Sequence, residues 1–296
     1  MTIRQNLIQI ATDAAAAMAG RKESLERFFL SRHNADGGFR GKGPQSDLYY
    51  TGFAVLALLA MEIPFDQDKT VRFLESFEDG SGLDLSHLAV LVRLSTLMKP
   101  DFHNSSLHSQ FEEKLRAFKT PDGGYSHLVG QSAGSAYGCF LAMGICEDLQ
   151  LSLSDITPPM VSFLSTLYNS DGGYLNETAI PVTSVPSTSA SLVTLDLLGQ
   201  KDHLRSVEWM FSNMDDSGGF RVIQYAPVPD LLSTAVGLFS LSVIRADVSP
   251  IRAKCRAFVE SLWDDEIGFR PNPVDRWSDC EYTFYGLLAL GTLADG

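Results

Sequence analysis

Basic residues are scarce in this 296-residue chain: 23 Lys and Arg stand against 36 Asp and Glu, a formal net charge of −13. That shortage argues against a nucleic-acid partner, because phosphate contacts need clustered Lys and Arg. Cysteine is sparse too. Cys139, Cys146, Cys255 and Cys280 form no C-x-x-C pair, so no structural zinc or redox motif is visible. Scattered cysteines of this number suit the reduced core of a cytoplasmic protein. No run of about 18 apolar residues occurs, so no membrane span is expected. The start, MTIRQNLIQIATDAAAAMAG, lacks the unbroken apolar stretch of a secretory signal. It reads as an amphipathic, Ala-rich helix over about residues 3–18. G-x-S-x-G, P-loop and H-E-x-x-H motifs are all missing, and neither His87 nor His127 has a partner at ligand or triad spacing.

What the chain does have is glycine in a fixed context. The marker Asp/Ser-Gly-Gly-aromatic appears as Asp36-Gly37-Gly38-Phe39, Asp122-Gly123-Gly124-Tyr125, Asp171-Gly172-Gly173-Tyr174 and Ser217-Gly218-Gly219-Phe220. Weaker copies are Gly80-Ser81-Gly82-Leu83 and Glu266-Ile267-Gly268-Phe269. The glycines at 38, 82, 124, 173, 219 and 268 therefore recur at 42- to 49-residue steps, the signature of a repeat architecture. Before each marker stands an amphipathic segment such as QFEEKLRAF, with apolar residues three and four apart. After it comes a loop, then a segment apolar nearly all round, such as TGFAVLALLAM or YTFYGLLALGTLA. A helix without a polar face is buried on both sides. Six such helices make an inner ring and six amphipathic ones an outer ring. The glycine pair is expected to cap the outer helix, where positive φ is needed. All six markers should lie at one end of the barrel, and the N-terminal helix should pack at the seam. The fold class is thus all-α, an (α/α)6 toroid in one domain: residues 1–20 are an N-terminal helix and residues 21–296 six repeats.

From about residue 22 to 294 the pattern resembles the prenyltransferase and squalene-oxidase repeat family, which includes protein prenyltransferase β subunits and class II terpene cyclases. Repeat one, GGFRGKGPQSDLYYTGFAVLAL, carries the likeness best, with Asp-x-x-Tyr-Thr opening the inner helix. Repeat five offers Asp230-Leu231-Leu232-Ser233-Thr234 and repeat six Asp279-Cys280-Glu281-Tyr282-Thr283. The resemblance implies an isoprenoid or similar apolar chain held in a central funnel lined by Tyr49, Tyr50, Phe53, Tyr137, Tyr282 and Tyr285. The same aromatics can equally be core filling. A prenyl diphosphate head would fall near Arg40, Lys42, Arg270 and Arg276, which are few for that charge. A helical-repeat α-subunit partner is possible.

The resemblance also implies a zinc site, with ligands at Asp230, at the place of Leu232 and at the place of Tyr282. Leucine cannot bind zinc and tyrosine rarely does, so no metal is expected; Cys280 is one residue out of register and would point elsewhere. A class II cyclase would instead need a protonated acid, for which Glu281 with Asp279 is the candidate, Asp230 standing in a motif that has lost its acid. Asp47, Asp230 and Asp279 each also sit just before an apolar run, where Asp caps a helix. Three readings follow: an isoprenoid-binding prenyltransferase β-like protein, a terpene cyclase-like enzyme using Glu281 and Asp279, and a non-catalytic toroid acting as an interaction module.

Overall fold

A computed structural model describes residues 1–294. After Ile3–Asp13 (α1) and Ala15–Met18 (α2), helices alternate between two layers. The outer layer is Lys22–Leu30 (α3), Gln67–Glu75 (α5), Ser106–Ala117 (α7), Thr157–Thr166 (α9), Leu204–Ser212 (α11) and Arg252–Ser261 (α13). The inner layer is Leu48–Ala60 (α4), Leu85–Met98 (α6), Ala136–Asp148 (α8), Val185–Leu197 (α10), Leu231–Val243 (α12) and Cys280–Thr292 (α14). Each inner helix touches its two neighbours, and α14 returns to α4, so the ring closes. Each inner helix starts on a side-chain cap: Asp47, Asp84, Ser135, Ser184, Asp230 and Asp279 accept backbone N–H groups of the first turn.

The glycine pair does not cap the outer helix. α3 ends at Leu30, well before Gly37, and the pair instead turns a short hairpin. His33, Lys119, Tyr168 and Met214 pair antiparallel with the marker aromatics Phe39, Tyr125, Tyr174 and Phe220. In repeat six the strands Trp263–Asp264 and Gly268–Phe269 do the same. The marker Asp secures the turn locally, since Oδ1 of Asp36, Asp122 and Asp171 accepts the N–H of the second glycine.

The first glycine has positive φ, +94° at Gly37 and +99° at Gly218, and presses onto the next outer helix. A Cβ on Gly37 would sit 2.1 Å from the Lys69 carbonyl oxygen, and one on Gly218 would sit 2.2 Å from that of Lys254. The second glycine lies against an aromatic of that helix: Phe73, Phe163, Trp209 or Phe258. Gly268 meets Phe28 of α3 and completes the circle. The marker thus joins one repeat to the next, except in repeat two, where a Cβ on Gly82 would meet nothing within 4 Å.

The aromatic of the marker is buried, with Phe39, Phe220 and Phe269 at 0% exposure. Its backbone is tied to the start of the inner helix. Thr51, Thr188 and Thr234 hydroxyls accept the N–H of Phe39, Tyr174 and Phe220 at 2.8–2.9 Å. Thr51 and Thr234 also donate to the carbonyls of the caps Asp47 and Asp230. The Thr of the Asp-x-x-x-Thr motif therefore holds the hairpin, and this tie keeps the hairpins at the end where the inner helices begin.

The N-terminal helix packs at the seam, as expected, and extends beyond it. α1 packs on α14 and α4 but also reaches α8 across the ring. Ile3, Leu7 and Ala11 form its buried face. Gly291 lies so close that a Cβ would meet the Ile10 carbonyl. The Ile3 N–H donates to Glu147, and Arg4 pairs with Asp148 at the far end of α8. α1 is a floor beneath the funnel, because its apolar stripe covers the C-terminal ends of otherwise apolar helices. Among the described residues no helix is long and apolar enough to cross a membrane.

Candidate functional site

The ring encloses a cavity of 370 Å³, bounded by all six inner helices and by Leu7 of the floor. This is near the lower end of the about 300–1,000 Å³ usual for small-molecule sites. The second residue of every inner helix faces it: Tyr49, Ser86, Tyr137, Pro186, Leu232 and Glu281. Deeper tiers follow at helical spacing, with Phe53, Phe140, Phe284 and Tyr285 among the aromatics.

The mouth tier is polar on one side only. The Tyr49 hydroxyl donates to Glu281 Oε1 at 2.8 Å, and Tyr285 lines the cavity on the same helix as Glu281. Burial among apolar side chains pushes Glu281 up to about 7, against the pull of the two tyrosines and Lys42; nearby Asp279 pushes the same way. Tyr49 and Tyr285 are raised well above the ordinary tyrosine value, again mainly by burial, so both remain hydrogen-bond donors. Tyr137 is 40% exposed, and its ring borders the cavity.

The raised Glu281 has a thermodynamic consequence. A carboxyl group that holds its proton more tightly when folded stabilises the fold below its unfolded pKa, and that contribution is lost as pH rises towards about 7. Glu281→Gln should remove the loss. Denaturant midpoints of the variant and the native chain should diverge between about pH 4.5 and 7, the variant gaining as pH rises. Parallel curves across this range would refute the burial of Glu281 described above.

The other acids lie outside the cavity lining. Asp230 accepts the Ser233 N–H at 2.7 Å and its hydroxyl at 2.8 Å. Asp279 is 1% exposed and accepts the Tyr282 N–H. Asp47 accepts the N–H groups of Tyr49 and Tyr50. Tyr49, Phe53, Tyr137 and Tyr285 line the cavity, whereas Tyr50 packs on Gly41 and Tyr282 on Trp277.

The basic candidates divide. Arg40 donates to the Ser31 carbonyl and Arg270 to that of Ser261, each tying a loop to the end of an outer helix. Lys42 lies 3.3 Å from the Trp277 ring centroid, in a groove with Arg32 and Arg40 at the closure of repeats one and six. Arg276 is exposed and does not border this groove.

At the zinc-ligand places Asp230 caps α12, Leu232 borders the cavity and Tyr282 packs on Trp277; Cys280, out of register, is buried with Sγ 3.8 Å from the Arg40 carbonyl. Among the described residues no three His, Cys, Asp or Glu side chains converge as a metal site. The histidines do find partners, through the fold rather than through spacing. His87 Nδ1 is 2.8 Å and His127 Nε2 3.3 Å from Asp84, and His127 Nδ1 meets the Ser86 hydroxyl. This cluster pins the loop of repeat three onto the start of α6, where the Leu85 N–H donates to the His127 carbonyl.

Sequence comparison agrees with this geometry. The family described as "Prenyltransferase alpha-alpha toroid domain" matches residues 7–87, 79–180 and 183–295. The chain belongs to this family. Solved structures of similar fold include two from isoprenoid chemistry. One is the protein geranylgeranyltransferase-I of Candida albicans complexed with GGPP, with a TM-score of 0.69 and 14% identity over 92% of this chain and 90% of that one. Another is the type II terpene cyclase MstE from Scytonema, with a TM-score of 0.62 and 15% identity over 95% and 98% of the two chains. The α-1,6-mannanase GH76A of Salegentibacter is also similar, with a TM-score of 0.64 and 13% identity over 93% and 98%. Among curated proteins none matches the sequence. At such identities the likeness is one of fold, and the mannanase makes the point that a toroid by itself carries no substrate. For this prenyltransferase-type toroid the ligand class has to be argued from the lining.

Sequence reasoning missed Ser86, Phe140, Arg93 and the floor residue Leu7, all of which border the cavity. For the mouth tier a signal was present: each lining residue follows its helix cap by two positions.

Proposed function

We propose that this toroid binds an isoprenoid or similarly apolar chain in the central cavity, with an oxygen-bearing end at Glu281 and Tyr49. The observation that carries the reading is the cavity itself: apolar tiers from six helices, with one protonatable carboxyl bonded to Tyr49 at the mouth. Family membership and the two isoprenoid-related neighbours support it. A neutral Glu281 can donate to a carbonyl or ether oxygen and accept from a hydroxyl. The residues at the zinc-ligand places do not fit the metal, so binding is proposed to be metal-independent.

A second reading, proton donation by Glu281 to a carbon–carbon double bond, is favoured by the same Tyr49–Glu281 pair. The acid proton would pass to carbon, leaving a carbocation and a carboxylate. Binding ranks first on magnitude: burial that keeps the proton on at neutral pH also makes the group a weaker donor than an ordinary glutamic acid.

The test is farnesol binding by titration calorimetry to the native chain and to an Ala89→Phe, Ala190→Phe variant that fills the cavity. We expect native binding that survives a chelator, and at least a tenfold loss in a variant that stays folded. Equal affinity in both, or no native binding, would sink the proposal; a strict zinc requirement would sink its metal-free form.

A further inference from the structure

The cavity has a second polar end. Arg93 lies on α6 two helical turns below Ser86, roughly 10 Å deeper by helical rise. It is the only Lys or Arg in the six inner helices. Its tier is otherwise apolar, made by Leu56, Val193, Phe239 and Leu288 above Leu7 of the floor.

Arg93 is incompletely paired. Its Nε is 3.5 Å from Asp148 Oδ2, while Asp148 Oδ1 is 3.3 Å from Nε of Arg4. One carboxylate thus serves two guanidinium groups, and Arg93 Nε and both Asp148 oxygens lack a well-formed hydrogen bond. The terminal amino groups of Arg93 have no hydrogen-bond acceptor among the described residues. Glu147, the other carboxylate at this level, accepts the Ile3 N–H at 2.8 Å, and burial pushes it up. A guanidinium offers five donors, and leaving them unused in an apolar chamber is costly unless a bound molecule supplies the acceptor.

We propose that Arg93 receives a carboxylate at the inner end of the ligand. The ligand class is then an apolar chain with a carboxylate at one end and an oxygen function about 10 Å away at Glu281 and Tyr49. A carboxylate matches the planar fork of a guanidinium. A phosphate or diphosphate carries more charge than this closed apolar tier can neutralise. The inference rests on the cavity reading above.

The probes are farnesoic acid and farnesol, which share a chain and differ at the terminal group. The native chain should bind the acid about tenfold or more tighter than the alcohol, the usual worth of a charge-assisted hydrogen bond. Arg93→Gln should bring the two affinities within about twofold, and Arg93→Lys, which keeps the charge and loses the fork, should give an intermediate ratio. A native ratio near one with farnesol still bound overturns the role of Arg93 alone. An undiminished ratio in Arg93→Gln does the same. Failure of both probes to bind takes down the cavity reading and this inference with it. Should Arg93→Gln not fold, the native ratio and the lysine variant decide the matter.

Discussion

Gly37→Ala should cost about 3–5 kcal/mol of stability, and Gly82→Ala only about 1 kcal/mol. Both glycines have positive φ, +94° and +82°, so each substitution carries the left-handed penalty. They differ in what a Cβ would meet. At Gly37 it would lie 2.1 Å from the Lys69 carbonyl oxygen, part of a helix backbone that cannot step aside; at Gly82 it would meet nothing within 4 Å. The excess at Gly37 is therefore the cost of pushing repeat one away from α5. Urea unfolding of the two variants measures it directly. Similar losses would mean that the marker glycine serves the turn alone and does not hold repeats together.

Asp148→Asn should cost about 3–5 kcal/mol, because it leaves Arg4 and Arg93 buried without their counter-charge. The side chain of Asp148 is 1% exposed. Burial pushes its pKa up while the two arginines pull it down, so desolvation works strongly against the ion cluster. The triple replacement Arg4→Met, Arg93→Met, Asp148→Leu removes the charges together and should recover most of the loss. Thermal or denaturant melts of both variants check this. A triple variant as unstable as Asp148→Asn would show that packing, rather than unpaired charge, sets the cost.

The two predictions concern features of unequal visibility. The glycine marker could be counted in the chain, and so could the caps Asp47, Asp230 and Asp279, since both follow from local backbone needs. The use made of the marker could not. A glycine pair after an amphipathic helix satisfies a C-cap and a hairpin equally well, and only the approach of α5, α9, α11 and α13 shows which is used. In the candidate site, Glu281 and Tyr49 were legible as residues, but their 2.8 Å contact spans the closure between repeats six and one. Arg93 escaped the sequence reading, because one cation in an apolar helix acquires meaning only beside Asp148 of the next repeat.

By itself, then, the sequence determined the repeat, the two helix types, their alternation and the closed all-helical ring, because periodicity, capping and glycine placement act within a few residues of chain. The tertiary structure decided what the ring contains. It extended the N-terminal helix from the seam into a floor beneath the ring, gave His87 and His127 a shared partner in Asp84, and sent Asp230 and Asp279 to their caps while turning Glu281 inward. Those outcomes rest on contacts between residues far apart in the chain. Local patterns carry no information about them, because which faces meet is fixed only when all six repeats bury their apolar helices against one another.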